Sequence, residues 1–475
     1  MSLPHVSIFG GGIAGCTVAH LLCKEYKVHL FESSNQLGGF AKTFRNEDGV
    51  SQEHSPRIVL NDYFLLERIF KDLGIEDNLI SDPQDTVIPL DKKPYSITDI
   101  TKILELTFKE IVLILFYIIK GFLSSDDQLN HLDLLPVYNI IQSNSGRDWF
   151  NTISLVAGEK PSEMPMYKFV RMVESNFYNF YRKSKTINGP WSEILFNNWE
   201  KYLKQNNVTI HYNSPLEQFD PSMNYAIVNV NGSSRFLNSD IFVVASDISN
   251  AVKIFDKTKN KELKQLKQNL KQLKQKTKSH QMGMQISFPN KIKTNLRDYF
   301  TLKSDWNLIV HMQETSWKEN MKGSLWSVNI PEMTLYSKRI GKMAKDCSKE
   351  EIKQEVLYQL SLKFDLPINP KVYIWPTWFK DPHDQQWTTT EPYFWNATNT
   401  KHLRPKQHIM DNLYLAGAYT DTNYYFYYME GAVESGFLIA EKILGKDFKL
   451  PQRRHPLLLR HGLILLTLFS LGFFL

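Results

Sequence analysis

The chain has 475 residues, 42% of them hydrophobic and 22% charged, the balance of a globular protein too long for one ordinary core. Its three cysteines, Cys16, Cys23 and Cys347, show no metal-ligand spacing, which excludes a metal centre built on them and a disulfide framework and points to a reducing compartment. The net charge of +6 is local, because nine lysines against one acid lie between Lys257 and Lys278; the remainder is slightly acidic, which excludes a general nucleic-acid surface.

The apolar run Val6 to Phe9 begins within a few residues of the N-terminus, leaving no room for a signal peptide. It meets Gly10, Gly12 and Gly15 in G-x-G-x-x-G spacing, then a helical pattern from Cys16 to Lys24, then a second apolar run from Val28 to Phe31 ending on Glu32. Strand, glycine turn, helix, strand and an acid about 20 residues on is the pattern of a dinucleotide site. Pyrophosphate would lie against the free N–H groups of the helix start, and a ribose hydroxyl against the carboxylate. Leu37-Gly38-Gly39 supplies a second glycine turn.

Thr43 to Gly49 reads as a strand running into a turn, and Gln52-Glu53-His54-Ser55-Pro56-Arg57 leads into a helical pattern from Asp62 to Leu73, closed by Gly74. The densest internal apolar run, Ile111 to Leu123, is interrupted by Lys120 and is too short for a membrane span, which needs about 20 residues. It reads as a buried helix of a second domain, with a helix lying in one leaflet as the alternative. From Asn188 the pattern changes: a helix from Ser192 to Leu203, then strands at Val208 to Tyr212, Tyr225 to Val230 and Asp240 to Ala245, a return to the first sheet. The lysine-rich stretch 257–278 places Leu263, Leu266, Leu270 and Leu273 on one helical face, for the core, with a cationic outer face that suits water or anionic lipid. Gln281 to Phe288 alternates as a strand, and Trp375, Trp378, Trp387 and Trp395 suit either core or the wall of an apolar pocket. Near the C-terminus, Leu413 to Thr420 reads as a strand ending in a glycine turn, and Met429 starts a helix running to Leu444, with Gly445 as its cap.

Taken together, the N-terminal GGG-x-x-G with Glu32 and Gly38-Gly39, and the C-terminal AGAYT followed by YMEGAVESG, resemble the flavin-containing amine oxidase superfamily. The phytoene desaturase branch shares that C-terminal wording and a His-containing segment where this chain has EHSPR. The resemblance implies FAD as cofactor and an α/β fold: a discontinuous Rossmann-like FAD-binding domain (1–80, 186–255 and 400–447), a mixed α+β substrate domain (81–185 and 256–399), and a hydrophobic C-terminal tail after a basic linker (448–475). By resemblance, Gly10, Gly12, Ala14 and Gly15 hold the pyrophosphate side, Glu32 and Ser33 the ribose, Gly38, Gly39 and Lys42 the second turn, and Leu216 the adenine side. Gly417, Ala418, Met429, Glu430, Gly431 and Ala432 then bound the ribityl and flavin end.

Three departures bear on chemistry. Phe40 stands where the family commonly has arginine, leaving Lys42 or Arg45 as substitutes; Ala418 cannot accept from ribityl hydroxyls; and Gln281 to Phe288 lacks the lysine that amine oxidases keep near the flavin. The last departure favours dehydrogenation of a small hydrophobic, isoprenoid or polyene substrate over oxidation of a polyamine or aromatic amine, with a non-catalytic flavin protein as the third class. His54, Arg57, Tyr425 and Tyr428 are the candidate catalytic residues. The fourteen uncharged residues from Gly462, preceded by Arg453, Arg454 and Arg460, suggest a tail anchor on a cytoplasmic membrane face, with 111–123 and 257–278 as further contacts.

Overall fold

The computed structural model describes residues 3–451 apart from 82, 84, 97, 98, 100–104, 126, 127, 180, 231, 279, 280, 320, 384 and 425. The hydrophobic tail and its arginines therefore lie outside the described residues. Among the described residues no helix is long and apolar enough to cross a membrane.

Two sheets organise the chain. The first has six strands in the order His408–Met410, Leu413–Leu415, Ile241–Val244, His5–Phe9, Lys27–Phe31 and Thr209–His211. All pair in parallel except His408–Met410 at one edge. Parallel strands bury both faces, which is why Phe242, Val243 and Val244 form a continuous apolar run and why Ser7, between Val6 and Ile8, is buried as well. These strands come only from 1–80, 186–255 and 400–447, and the strands of the second sheet only from 81–185 and 256–399.

The second sheet has seven strands, in the order Lys371–Ile374, Met282–Ser287, Leu325–Ile330, Leu308–Met312, Tyr299–Lys303, Asp85–Pro89 and Tyr95–Ser96. It alternates cleanly. Met282, Met284, Ile286, Phe300, Val310, Trp326 and Val328 pack on one side with Ile352, Val356 and Leu360 of helix Lys349–Ser361. The opposite side is polar and equally buried, with Gln285, Thr301, His311, Ser327 and Asn329. The segment Ser51 to Arg57 crosses that polar side: a Cβ on Gly283 would sit 1.7 Å from the His54 carbonyl oxygen, and the Tyr299 hydroxyl donates to the Arg57 carbonyl at 2.5 Å. A loop of the N-terminal segment is thereby laid directly on the seven-stranded sheet.

Several elements differ from the sequence reading. The first helix starts at Ile13 rather than Cys16, so the glycine turn already belongs to its first turn. The helix expected from Ser192 opens with a π-helical turn, Ser192–Phe196, before Asn197–Gln205. Helix Phe108–Leu123 is buried on one side only, through Ile114, Gly121 and Phe122. Of the two readings of the tryptophans, core holds for Trp378 and Trp387, while Trp375 packs in the core and also turns its ring to His54. Helix Lys264–Thr277, in contrast, agrees with the sequence reading: it turns Leu270 and Leu273 inward, with Leu263 just before it, and its lysines are left on the outer side.

Helix Met429–Leu444 follows its strand as read, with Gly445 in the left-handed region at φ 63°. Its small residues do not form a bare face. A Cβ on Gly436 would meet the Thr17 side chain at 2.8 Å and the Ala14 carbonyl oxygen at 3.2 Å, so this face packs against helix Ile13–Leu22. We expect Gly436→Val to overpack that crossing and lower stability by about 1–3 kcal/mol, measured as a lower urea midpoint at unchanged slope.

Candidate active site

Gly10 has φ +119°, a conformation that L side chains rarely adopt, and a Cβ there would strike the Ala245 carbonyl oxygen at 2.5 Å. A Cβ on Gly15 would lie 1.9 Å from the Gly10 carbonyl oxygen, which is how closely helix and turn approach. Helix Ile13–Leu22 has no side chain capping its N-terminus, and Gly12 faces open space apart from the Gly39 Cα, 3.8 Å from where its Cβ would be. The second turn is tied to the first by the Gly38 N–H, which donates to the Gly11 carbonyl at 2.9 Å. These are the features of a cradle for pyrophosphate: an uncapped positive helix end with glycine on both sides.

Glu32 is 6% exposed at the end of its strand. Its Oε1 accepts from the Ser34 N–H and from the Ser33 and Ser34 hydroxyls, while Oε2 accepts the Gly11 N–H at 2.8 Å. Oε2 keeps acceptor capacity for a ribose hydroxyl; Ser33 serves to hold the carboxylate. The Ser214 N–H bonds the Glu32 carbonyl, and Leu216 just beyond it packs with Phe9 and Phe31. A shallow depression of about 460 Å³ near Leu3, Tyr26, Lys27 and Asn206 lies at the opposite, N-terminal edge of the strands, the wrong end for a ligand of this fold.

At the other end of the site, Gly417 donates its N–H to the Ser435 hydroxyl, and Arg404 donates to the Ala418 carbonyl. The start of helix Met429–Leu444 has no side-chain cap, leaving the backbone of Met429 to Ala432 as the second uncapped positive end. The Glu430 carboxylate accepts from the Leu65 and Leu66 N–H groups at 2.9 Å and so caps helix Phe64–Asp72, which leaves its backbone as its part in the uncapped helix start.

Lys42 and Arg45, read as substitutes for the missing arginine, are both held in ion pairs. Lys42 pairs with Glu391 at 2.6 Å, and Arg45 pairs with Glu193 and Glu319 at the surface. Arg57 instead reaches back to the Phe40 carbonyl, with Glu53 3.9 Å from its guanidinium.

His54 stands at the centre of an aromatic cluster. Its ring lies 5.5 Å from Tyr393, 5.6 Å from Trp375 and 5.7 Å from Phe40. Burial, with the Arg57 charge as the next cause, pushes its pKa down to about 4, so the ring is neutral at pH 7. Nε2 lies 3.2 Å from the Glu391 carbonyl oxygen and therefore carries the proton, which makes Nδ1 an acceptor. That Nδ1 is buried and has no hydrogen-bond partner among the described residues, an orphaned acceptor that a bound molecule can satisfy.

Tyr428 donates its hydroxyl to the Ala157 carbonyl at 2.6 Å. Lys168, fully buried, pairs with Glu159 and sits over the Phe426 ring at 4.6 Å and the Tyr428 ring at 5.1 Å. Burial lowers its pKa to about 8, against the pull of Glu159. Tyr425 lies outside the described residues. Glu391, Tyr393, Lys168 and Glu159 were not singled out in the sequence, because they sit in no motif and only the fold brings them to His54 and Tyr428.

The comparisons agree with this geometry. The family model described as flavin containing amine oxidoreductase matches residues 172–444, and an NAD(P)-binding Rossmann-like domain matches 8–73. The first match spans more than half of the chain. The protein belongs to the flavin-containing amine oxidoreductase family. No curated protein matches the chain. Among solved structures it is similar to a putative protoporphyrinogen oxidase from Exiguobacterium sp. 255-15, at TM-score 0.65 and 14% identity over 94% of this chain and 100% of that one. It is also similar to putrescine oxidase, at TM-score 0.66 and 13% identity over 94% and 99%. A third similar structure is cyclohexylamine oxidase from Brevibacterium oxydans IH-35A, at TM-score 0.64 and 14% identity over 94% and 100%. At such identities the likeness is one of fold.

The residues fit FAD: two uncapped helix ends at one edge of a parallel sheet, a buried carboxylate at the ribose position, and the orphaned His54 Nδ1. We expect Glu32→Gln to weaken FAD binding by about tenfold or more, the effect of weakening a hydrogen bond to a charged group, read by titrating the apoprotein with FAD. Because His54 binds its proton at about pH 4 when folded and near 6.5 otherwise, protonation favours the unfolded chain. Its contribution is complete above 6.5 and is lost as pH falls towards 4; between pH 6.5 and 5 urea unfolding should lose roughly 1–2 kcal/mol, and His54→Gln should lose less. His311, lowered to about 3 by burial, leaves a residual slope in that variant.

Proposed function

We propose that this flavin-dependent oxidoreductase dehydrogenates a neutral, lipid-like substrate of the isoprenoid or polyene kind, in the manner of the phytoene desaturase branch. The observation that carries the reading is Lys168. Stacked aromatic rings near a flavin are a natural receptor for a substrate ammonium, and here Phe426 and Tyr428 already hold the chain's own ammonium, locked by Glu159. A second cation would meet like charge in a buried, low-dielectric setting.

Two further features support the reading. Strand Met282–Ser287 carries no lysine, and the walls around His54 are the rings of Phe40, Trp375 and Tyr393. Such walls bury apolar carbon and exclude water. FAD, when bound, supplies the hydride acceptor. The chain's own part is to hold the reacting carbon in the aromatic cluster and to offer the neutral His54 Nδ1 as acceptor for the neighbouring proton, so that loss of a hydride and a proton leaves a new carbon–carbon double bond. The nearby phenols of Tyr63 and Tyr428 are held protonated, since burial pushes both well above their ordinary value. Arg57 braces the backbone of Phe40 beside this cluster.

In an anaerobic titration, a polyene or its saturated precursor should bleach the oxidised-flavin absorption, while putrescine and an arylalkylamine should leave it unchanged. Bleaching by an amine would overturn the reading and return Lys168 to a purely structural role.

A further inference from the structure

We propose that the outward face of helix Phe108–Leu123 is a docking surface for an anionic lipid bilayer, lying in the plane of the headgroups. Phe108, Val112 and Phe116 follow one another at four-residue spacing and Leu123 continues the stripe; they are 69%, 47%, 55% and 42% exposed. A helix turned to water carries polar residues along such a stripe.

The exposure is built in. At the start of the helix, Thr107 and Glu110 form a reciprocal capping box, and the Glu110 carboxylate also accepts the Gln142 and Ser143 N–H groups. Further along, Gly121 lies so close to helix Met166–Tyr178 that a Cβ would meet the Val170 side chain at 2.1 Å. Ile114 and Phe122 fill the inner side. With one end capped and the other pinned, the helix cannot roll to bury its outer stripe.

The occupant follows from length and charge. Sixteen residues span about 24 Å, less than the hydrocarbon core of about 30 Å, and Lys109 and Lys120 lie along one flank of the stripe. An apolar face with lysines at its margin, too short to cross, suits the boundary between acyl chains and anionic headgroups. Two of the chain's own copies facing each other here would bring those lysines together. The sequence beyond the described residues, with Arg453, Arg454 and Arg460 ahead of fourteen uncharged residues, has the same lipid-seeking composition.

The test uses the full chain with Phe116→Cys carrying an NBD label, the three native cysteines being buried and so shielded from labelling. Ile368→Cys, at a site 82% exposed on another element, is the control. On adding phosphatidylcholine vesicles containing phosphatidylserine, the label at 116 should shift to the blue, brighten several-fold and be quenched by lipids with a nitroxide in the upper acyl chain. The control should not change. Tethering by the tail alone would leave the label at 116 wet and overturn the proposal. A label already blue-shifted before vesicles are added would mean that the tail or a second copy covers the face, and would overturn it too. An equal response to phosphatidylcholine alone would contradict the part given to Lys109 and Lys120.

Discussion

The crossing of helices Ile13–Leu22 and Met429–Leu444 is the constraint on which the site depends. Gly436 lets the second helix settle against Thr17 and the backbone at Ala14, more than 400 residues away in sequence. Both helices follow parallel strands of one sheet, so both uncapped N-termini are held at the same edge, with Glu32 at the end of the adjoining strand. Positive ends held this way are a fixed electrostatic frame for an extended, doubly charged pyrophosphate and the groups that follow it. Neither helix could supply that frame alone.

The second organising contact is the passage of Ser51 to Arg57 across the buried polar side of the seven-stranded sheet. It joins the two halves of the molecule at the place where His54 meets Trp375 and Tyr393, residues of the other half. A polar sheet face covered by a polar loop has a consequence for chemistry. Burial keeps His54 neutral, the Glu391 carbonyl selects its tautomer, and the remaining nitrogen is left as a buried acceptor. The ion pair of Lys42 and Glu391 lies beside this cluster, and that of Lys168 and Glu159 lies against the rings of Phe426 and Tyr428; each keeps its charges matched within the protein.

Much of this was legible in the sequence, and unevenly. The first βαβ unit, the strand at Met282–Ser287 with its alternating face, and the C-terminal strand and helix with Gly445 could be read because periodicity and glycine punctuation are local signals. The small residues of the last helix were misleading, since a bare helix face reads the same whether it awaits a cofactor or another helix, and Gly436 took the helix. At Glu430 the side chain and the backbone part company: the carboxylate caps Leu65 and Leu66, while the backbone stays at the uncapped helix start. Glu391, Tyr393, Glu159 and Lys168 were invisible because their meaning comes from contacts of long sequence separation. Helix Phe108–Leu123 was read for its apolar content, but which side faces outward depends on Gly121 and the cap at Thr107, which composition does not reveal.

Both halves of the site should close on one FAD, held through the two uncapped helix ends and Glu32 without a covalent bond. The most direct measurement is the flavin content of the purified full-length protein before and after denaturation and filtration. One FAD per chain is expected, all of it passing into the filtrate. A protein that is colourless and cannot be reconstituted with FAD, or one whose flavin stays with the polypeptide, would contradict it.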